Sequence, residues 1–65
     1  MRIRLNGTER ETTAATIASL LDELGLPRQM VLVELNGQAP PRIEWEGAQL
    51  HDGDAVEVLR VAAGG

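Results

Sequence analysis

The chain contains no cysteine and no lysine. Without cysteine there is no disulfide staple, no thiolate nucleophile and no thiolate metal site. Without lysine, all six cations are arginines, so modifier chains built through lysine side chains are excluded. Two causes would leave that signature: a protein that must not acylate its own amines, or a coding bias toward arginine, alanine and glycine. A basic stripe is also missing, because ten carboxylates outweigh the six arginines and the net charge is −4. That balance argues against a nucleic-acid partner, and it suits either a basic protein partner or plain solubility. No apolar run is long enough to cross a membrane, and Met1-Arg2-Ile3-Arg4 lacks the apolar stretch of a signal peptide, so a cytoplasmic protein is expected. No glycine-rich phosphate loop precedes the helical segment, and Glu44, Glu46, Asp52 and Asp54 do not have metal-loop spacing. There are no internal repeats, and residues 1–65 are expected to form one domain.

What is present is a small globular sequence. A chain of 65 residues buries only about 60% of the surface it exposes when unfolded. Its 43% of hydrophobic residues still places it with folded chains rather than disordered ones. Arg2-Ile3-Arg4-Leu5 alternates, which predicts a strand with Ile3 and Leu5 on one face. Asn6-Gly7 is a strong hairpin signal. Residues 8–12 form the return strand, and their lack of apolar side chains marks a solvent-facing edge protected by charge. Ile17, Leu20, Leu21 and Leu24 recur at helical spacing, with Thr13 or Thr16 available as the cap, Gly25 as the end and Pro27 as a stop. Residues 30–35 are the third strand, with Val31, Val33 and Leu35 inward, closed by Asn36-Gly37. Pro40-Pro41 and Gly47 break the segment 38–48, which is expected to include a short helical turn and to be anchored by Ile43 and Trp45. A short strand at Gln49-Leu50 leads into the turn Asp52-Gly53-Asp54, and residues 55–61 are the last strand.

That order of elements is the order of a ubiquitin-like β-grasp: an α+β fold with a mixed sheet, one main helix on one face, and the first and last strands parallel at the centre. Alternation along the last strand points Val56 and Val58 into the core and Leu59 and Val61 outward, with Leu32 of the third strand sharing the outward parity. Leu32, Leu59 and Val61 would then form a small apolar docking patch on the helix-free face. Scattered surface aliphatics, or a bulge returning Leu59 to the core, would account for the same residues differently.

The sequence closes on Ala62-Ala63-Gly64-Gly65, a stretch expected to be a flexible tail. Extended, four such residues reach roughly 13 Å, enough to carry a carboxylate into another protein's active site. His51, the one histidine, neighbours Asp52 in a turn, where no nucleophile or pocket accompanies it, so acid–base catalysis is not expected. The chain is not expected to be an enzyme, nor to bind a cofactor. The chemistry left is that of the Gly65 carboxylate, which is ionised at neutral pH and a poor electrophile. Adenylation by a partner using ATP would give it a leaving group, and a sulfur nucleophile replacing AMP would leave a thiocarboxylate.

One run of residues resembles a known family. Asn36-Gly37, Pro41-Arg42 with Trp45 beyond it, Leu50-His51-Asp52-Gly53-Asp54, Val56-Glu57 and Gly64-Gly65 are similar, in this register, to the ThiS family of sulfur carriers in thiamin biosynthesis, and the likeness covers nearly the whole chain. The resemblance implies a β-grasp fold and a carrier role. It implies a ThiF-type adenylyltransferase acting on Gly65, sulfur drawn from cysteine through a desulfurase, and a ThiG-type thiazole synthase as acceptor. Gly64 and Gly65 carry over directly, Ala62 and Ala63 would enter partner active sites with them, and Leu59 and Val61 match apolar positions ahead of the tail. Pro40 departs from the family's usual aliphatic residue, which bears on packing. A free carrier of this kind is expected to be monomeric. Three alternatives stand beside it. One is a MoaD-like carrier for molybdopterin synthesis, though such chains are longer and often lack the Pro-Arg-x-x-Trp element. The others are a ubiquitin-like modifier and a non-catalytic TGS-type interaction module.

Overall fold

The computed structural model describes residues 1–61, and the expected tail, residues 62–65, lies outside the described residues. Strand β1 (Arg2–Leu5) turns through Asn6-Gly7 into β2 (Thr8–Glu11). Both turn residues have left-handed backbones, with φ of 50° and 82°. Such a pair gives a two-residue hairpin the twist its strands need, and asparagine and glycine tolerate it best. Helix α1 (Ile17–Leu24) follows, then a 3₁₀ turn at Arg28–Met30, β3 (Val31–Leu35), a second 3₁₀ turn at Arg42–Glu44, and β4 (Ala55–Arg60). The sheet order is β2-β1-β4-β3, with β1 and β4 parallel at its centre and both outer pairs antiparallel.

The core forms where the helix crosses the sheet. Ile17, Ala18, Leu20 and Leu21 of α1 are buried against Ile3, Val31, Val33, Val56 and Val58, while Trp45 and Leu50 close the side. Full burial of each large aliphatic contributes roughly 1.5–3 kcal/mol, which an eight-residue helix needs because so short a helix is marginal alone. Of the two candidate caps, Thr16 is used. Its hydroxyl accepts from the Ser19 N–H at 3.1 Å, and the Ser19 hydroxyl accepts from the Thr16 N–H at 3.0 Å. Gly25, at φ 70°, ends the helix and donates to the Asp22 carbonyl.

Several sequence expectations are corrected. Ile43 does not anchor the crossover; it is 90% exposed. A 3₁₀ turn has three residues per turn, so residues 42 and 45 share a side and 43 is rotated away. Accordingly the Arg42 guanidinium sits 5.6 Å from the Trp45 ring centroid. Of Ile43 and Trp45, the anchor is Trp45, only 3% exposed, with its indole N–H donating to the Pro40 carbonyl at 2.9 Å. Met30 belongs to the 3₁₀ turn rather than to β3, and Gln49 makes only an isolated bridge to Thr16 instead of a strand. Strand β4 ends at Arg60, after which the Val61 N–H donates to the Met30 carbonyl at 2.7 Å.

Thr12, expected on a solvent-facing strand, lies past the end of β2 and is buried. Its hydroxyl accepts from the Ala14 N–H and donates to the Glu23 carboxylate at 2.8 Å. Glu23 also receives Arg10 at 3.1 Å. The Thr12 hydroxyl first, and Arg10 second, hold the Glu23 carboxyl below the usual carboxylate range against a smaller opposing effect of burial. A carboxyl whose folded pKa is depressed stabilises the fold above its unfolded pKa, and the contribution disappears as pH falls through the folded value. The carboxylate remains a quarter exposed, so solvent screening keeps the effect modest. Glu23→Gln is therefore expected to melt below the parent at pH 7 and level with it in acid beneath the carboxylate range. Thermal melts across that interval check this, and an unchanged gap in acid would contradict it.

Candidate functional site

The site is built around β4, the strand that leads to residues 62–65. The two Asn-Gly turns grip it from either side. The Asn6 side chain accepts from the Val58 N–H at 2.8 Å and donates to the Val58 carbonyl at 3.3 Å. It thereby stands in for a further residue of β1 beyond the two parallel register pairs, Arg4 with Ala55 and Leu5 with Val56. The Asn36 side chain accepts from the Ala55 N–H at 2.9 Å and donates to Asp54 at 3.0 Å. The Asp52-Gly53-Asp54 turn fixes where β4 begins. Asp52 accepts from the Arg2 N–H at 2.8 Å, Gly53 donates to the Arg2 carbonyl at 2.8 Å, and Asp54 accepts from the His51 N–H at 2.7 Å. His51 itself is exposed, with Nδ1 3.8 Å from Asp54.

Apart from the bond from Asn36 to the Asp54 carboxylate, these clamps are hydrogen bonds to backbone groups, each worth about 0.5–1.5 kcal/mol net, and more where a buried partner would be left unsatisfied. Asn6→Ala removes two of them and places a Cβ-bearing residue without a local hydrogen bond at φ 50°. We expect it to destabilise the fold by about 1–3 kcal/mol, measured by denaturant titration, and Asn6→Asp, which keeps the acceptor, to recover part of the loss.

Clamped this way, β4 has no bulge. Its register with β3 runs unbroken from Val31–Arg60 to Leu35–Val56. Val56 and Val58 are buried, while Leu32 and Leu59, register partners, are each 55% exposed on the helix-free face, and Val61 beyond them is 43% exposed. Leu59 is thus not core. Two residues further along the same strands, past the inward pair Val33–Val58, Glu34 faces Glu57. That acidic pair was not singled out from sequence, although the alternation that placed Leu32 and Leu59 outward also places it. Gly65, Gly64, Ala63 and Ala62 lie outside the described residues. Among the described residues, no group of three or more acidic or histidine side chains is placed to hold a metal, and no helix is long and apolar enough to cross a membrane.

A four-stranded mixed sheet with parallel first and last strands at its centre and one helix across one face is a ubiquitin-like β-grasp. The crystal structure of the thiamine biosynthesis protein ThiS from Geobacter metallireducens has the same fold, with a TM-score of 0.83 and 33% identity over the whole of both chains. The solution structure of a thiamine biosynthesis protein from that organism gives 0.81 and 33%, covering all of this chain and 88% of the other. A model of the ThiS family matches residues 3–65, and the chain belongs to that family. The sulfur carrier protein ThiS of Thermus thermophilus is 38% identical over 61 residues, 94% of this chain and 95% of its own length. A thiazole synthase of Paramagnetospirillum magneticum is 35% identical over 66 residues, which is all of this chain but 20% of the synthase.

Proposed function

We propose that this chain is a sulfur carrier of thiamin biosynthesis, loaded at Gly65. The observation that carries the proposal is the extent of the family match, which runs from residue 3 through residue 65 and so takes in Gly64-Gly65. In the first step the Gly65 carboxylate attacks the α-phosphorus of ATP on an adenylating enzyme of the ThiF type, forming the acyl-adenylate and releasing pyrophosphate. Hydrosulfide then attacks the carbonyl carbon; AMP leaves and the thiol proton is lost, giving the thiocarboxylate. No oxidant or reductant is needed when the donor is sulfide. In the cell a cysteine desulfurase supplies the sulfur. The chain acts throughout as a protein co-substrate, and the catalytic groups and ATP belong to its partners.

Acceptance of the sulfur falls to a thiazole synthase. A stretch similar to this whole chain occurs within a protein named thiazole synthase, which supports a working pairing of carrier and synthase. Leu32, Leu59 and Val61 provide the apolar contact on which either enzyme would seat the domain, leaving residues 62–65 to enter the active site. Incubation with the adenylating enzyme, ATP and sulfide should raise the intact mass by the difference between sulfur and oxygen. No mass gain, with an enzyme that loads its own carrier in the same mixture, would overturn the reading.

A further inference from the structure

The open face of the sheet is divided by charge. On the β1–β2 side its carboxylates are paired with a shared cation: Arg2 lies 3.0 Å from Glu11 and 3.9 Å from Glu9. On the β3–β4 side they are not. Glu34 and Glu57 are register partners, and among the described residues neither accepts a side-chain hydrogen bond or has a cation within 4 Å. Arg4 lines the same shallow depression as both yet pairs with neither. Like charges directly opposite each other on neighbouring strands destabilise a sheet. The next outward pair, Leu32 with Leu59, is apolar and exposed. Two adjacent cross-strand pairs thus each carry something unfavourable in isolation, a repulsion and a wet aliphatic contact, and a single partner surface would relieve both.

We infer that the Glu34–Glu57 pair is a receptor for one arginine or lysine side chain of the adenylating enzyme, set two residues along the strands from the contact of Leu32 and Leu59 with an aliphatic side chain of that enzyme. This rests on the docking role proposed above and adds the chemistry of the partner. One cation facing two carboxylates gains from both and cancels their mutual repulsion. The chain's net charge of −4 draws a basic surface from a distance, whereas the pair fixes where its cation seats. Charge complementarity of this kind acts chiefly on association rate and on choice of partner.

The test uses the full chain and the adenylating enzyme, following kcat/KM for pyrophosphate release at about 20 mM and about 500 mM salt, a range over which screening shortens from beyond to within the spacing of surface charges. The double variant Glu34→Gln, Glu57→Gln should melt at or slightly above the parent, because a repulsion has been removed. Its kcat/KM at low salt should fall on the order of tenfold, with kcat unchanged. High salt should narrow the gap between parent and variant, because the variant, with two fewer negative charges, has the smaller salt dependence. Parent-like kcat/KM at low salt, or an undiminished salt dependence, would overturn the inference. Leu59→Asp separates the two readings. If it alone raises KM, the face docks but the acidic pair is not its cation receptor. If neither variant changes KM, docking on this face fails altogether, and the inference fails with it.

Discussion

Deletion of Gly65 is expected to abolish sulfur loading while leaving the melting temperature where it was. The two outcomes follow from different parts of the chain. All the buried hydrophobic side chains of the core cluster fall between Ile3 and Val58, β4 ends at Arg60, and the last described backbone bond is donated by Val61. Removing a residue four positions further on, one that has no side chain, takes no side chain from that core. The carbon proposed to react, in contrast, is lost outright, and the carboxylate of Gly64 that replaces it would sit one residue short of the nucleotide. Appending a single alanine is the more demanding version. It keeps every atom of the chain but moves the carboxylate outward by about 3.5 Å and puts a methyl group beside it. Misplacing a reacting group by even 1 Å can cost about 10²-fold, so loading should fall at least that far. Intact mass after incubation with enzyme, ATP and sulfide reads both variants. Loading that survives on the extended chain would mean that the sulfur is carried elsewhere, and the proposed chemistry would be wrong.

The parts of this molecule that could be read from sequence are those where one physical rule dominates. Alternation placed Ile3, Val31, Val33, Val56 and Val58 inward and Leu32 and Leu59 outward because a strand offers only two faces. The Asn-Gly pairs located both tight turns because few residues accept two successive left-handed backbones. Ile43 defeated the same reasoning. In a three-residue turn, hydrophobicity does not say which of two neighbouring apolar residues reaches the core, and Trp45, with the larger surface and an N–H that finds the Pro40 carbonyl, took the position. Thr12 was misread for the complementary reason. A threonine in a polar run looks solvated, and only the later arrival of Glu23 from α1, eleven residues on, makes its burial affordable. The clamps from Asn6 and Asn36 were hidden because the residues already had a sufficient explanation as turn formers. Their side chains reach β4, 52 and 19 residues away, and local pattern carries no information about that distance. As for the site, the family resemblance pointed to Gly64 and Gly65 and parity to the Leu32–Leu59 pair. The acidic partners Glu34 and Glu57 needed the register, which comes only with the paired strands.

That register also sets up the other large effect, a contrast between two neighbours on β4. Val58→Asp is expected to unfold the domain, whereas Leu59→Asp is expected to leave it folded and unable to dock. Val58 is buried among aliphatic side chains, and a carboxylate placed there has no partner, a penalty of several kcal/mol even after relaxation. A domain of this size holds roughly 0.05–0.15 kcal/mol per residue of net stability, so that penalty consumes most or all of it. Leu59, 55% exposed, meets water on the open face. There the substitution costs the poorer strand preference of aspartate, about 1 kcal/mol at most, together with a repulsion from Glu34 and Glu57 that solvent screens. At the partner the order reverses. An exposed leucine seated in an enzyme's apolar pocket is a candidate for the few residues whose loss costs about 2 kcal/mol or more in binding, which is roughly thirtyfold in KM. An aspartate beside Glu34 and Glu57 adds to the repulsion already there. Melting temperature and loading kinetics, measured on both variants, therefore move in opposite patterns: stability lost with Val58→Asp, recognition lost with Leu59→Asp. Equal drops in melting temperature would place Leu59 in the core after all, and a Leu59→Asp chain that loads with the parent's KM would move the docking surface off this face of the sheet.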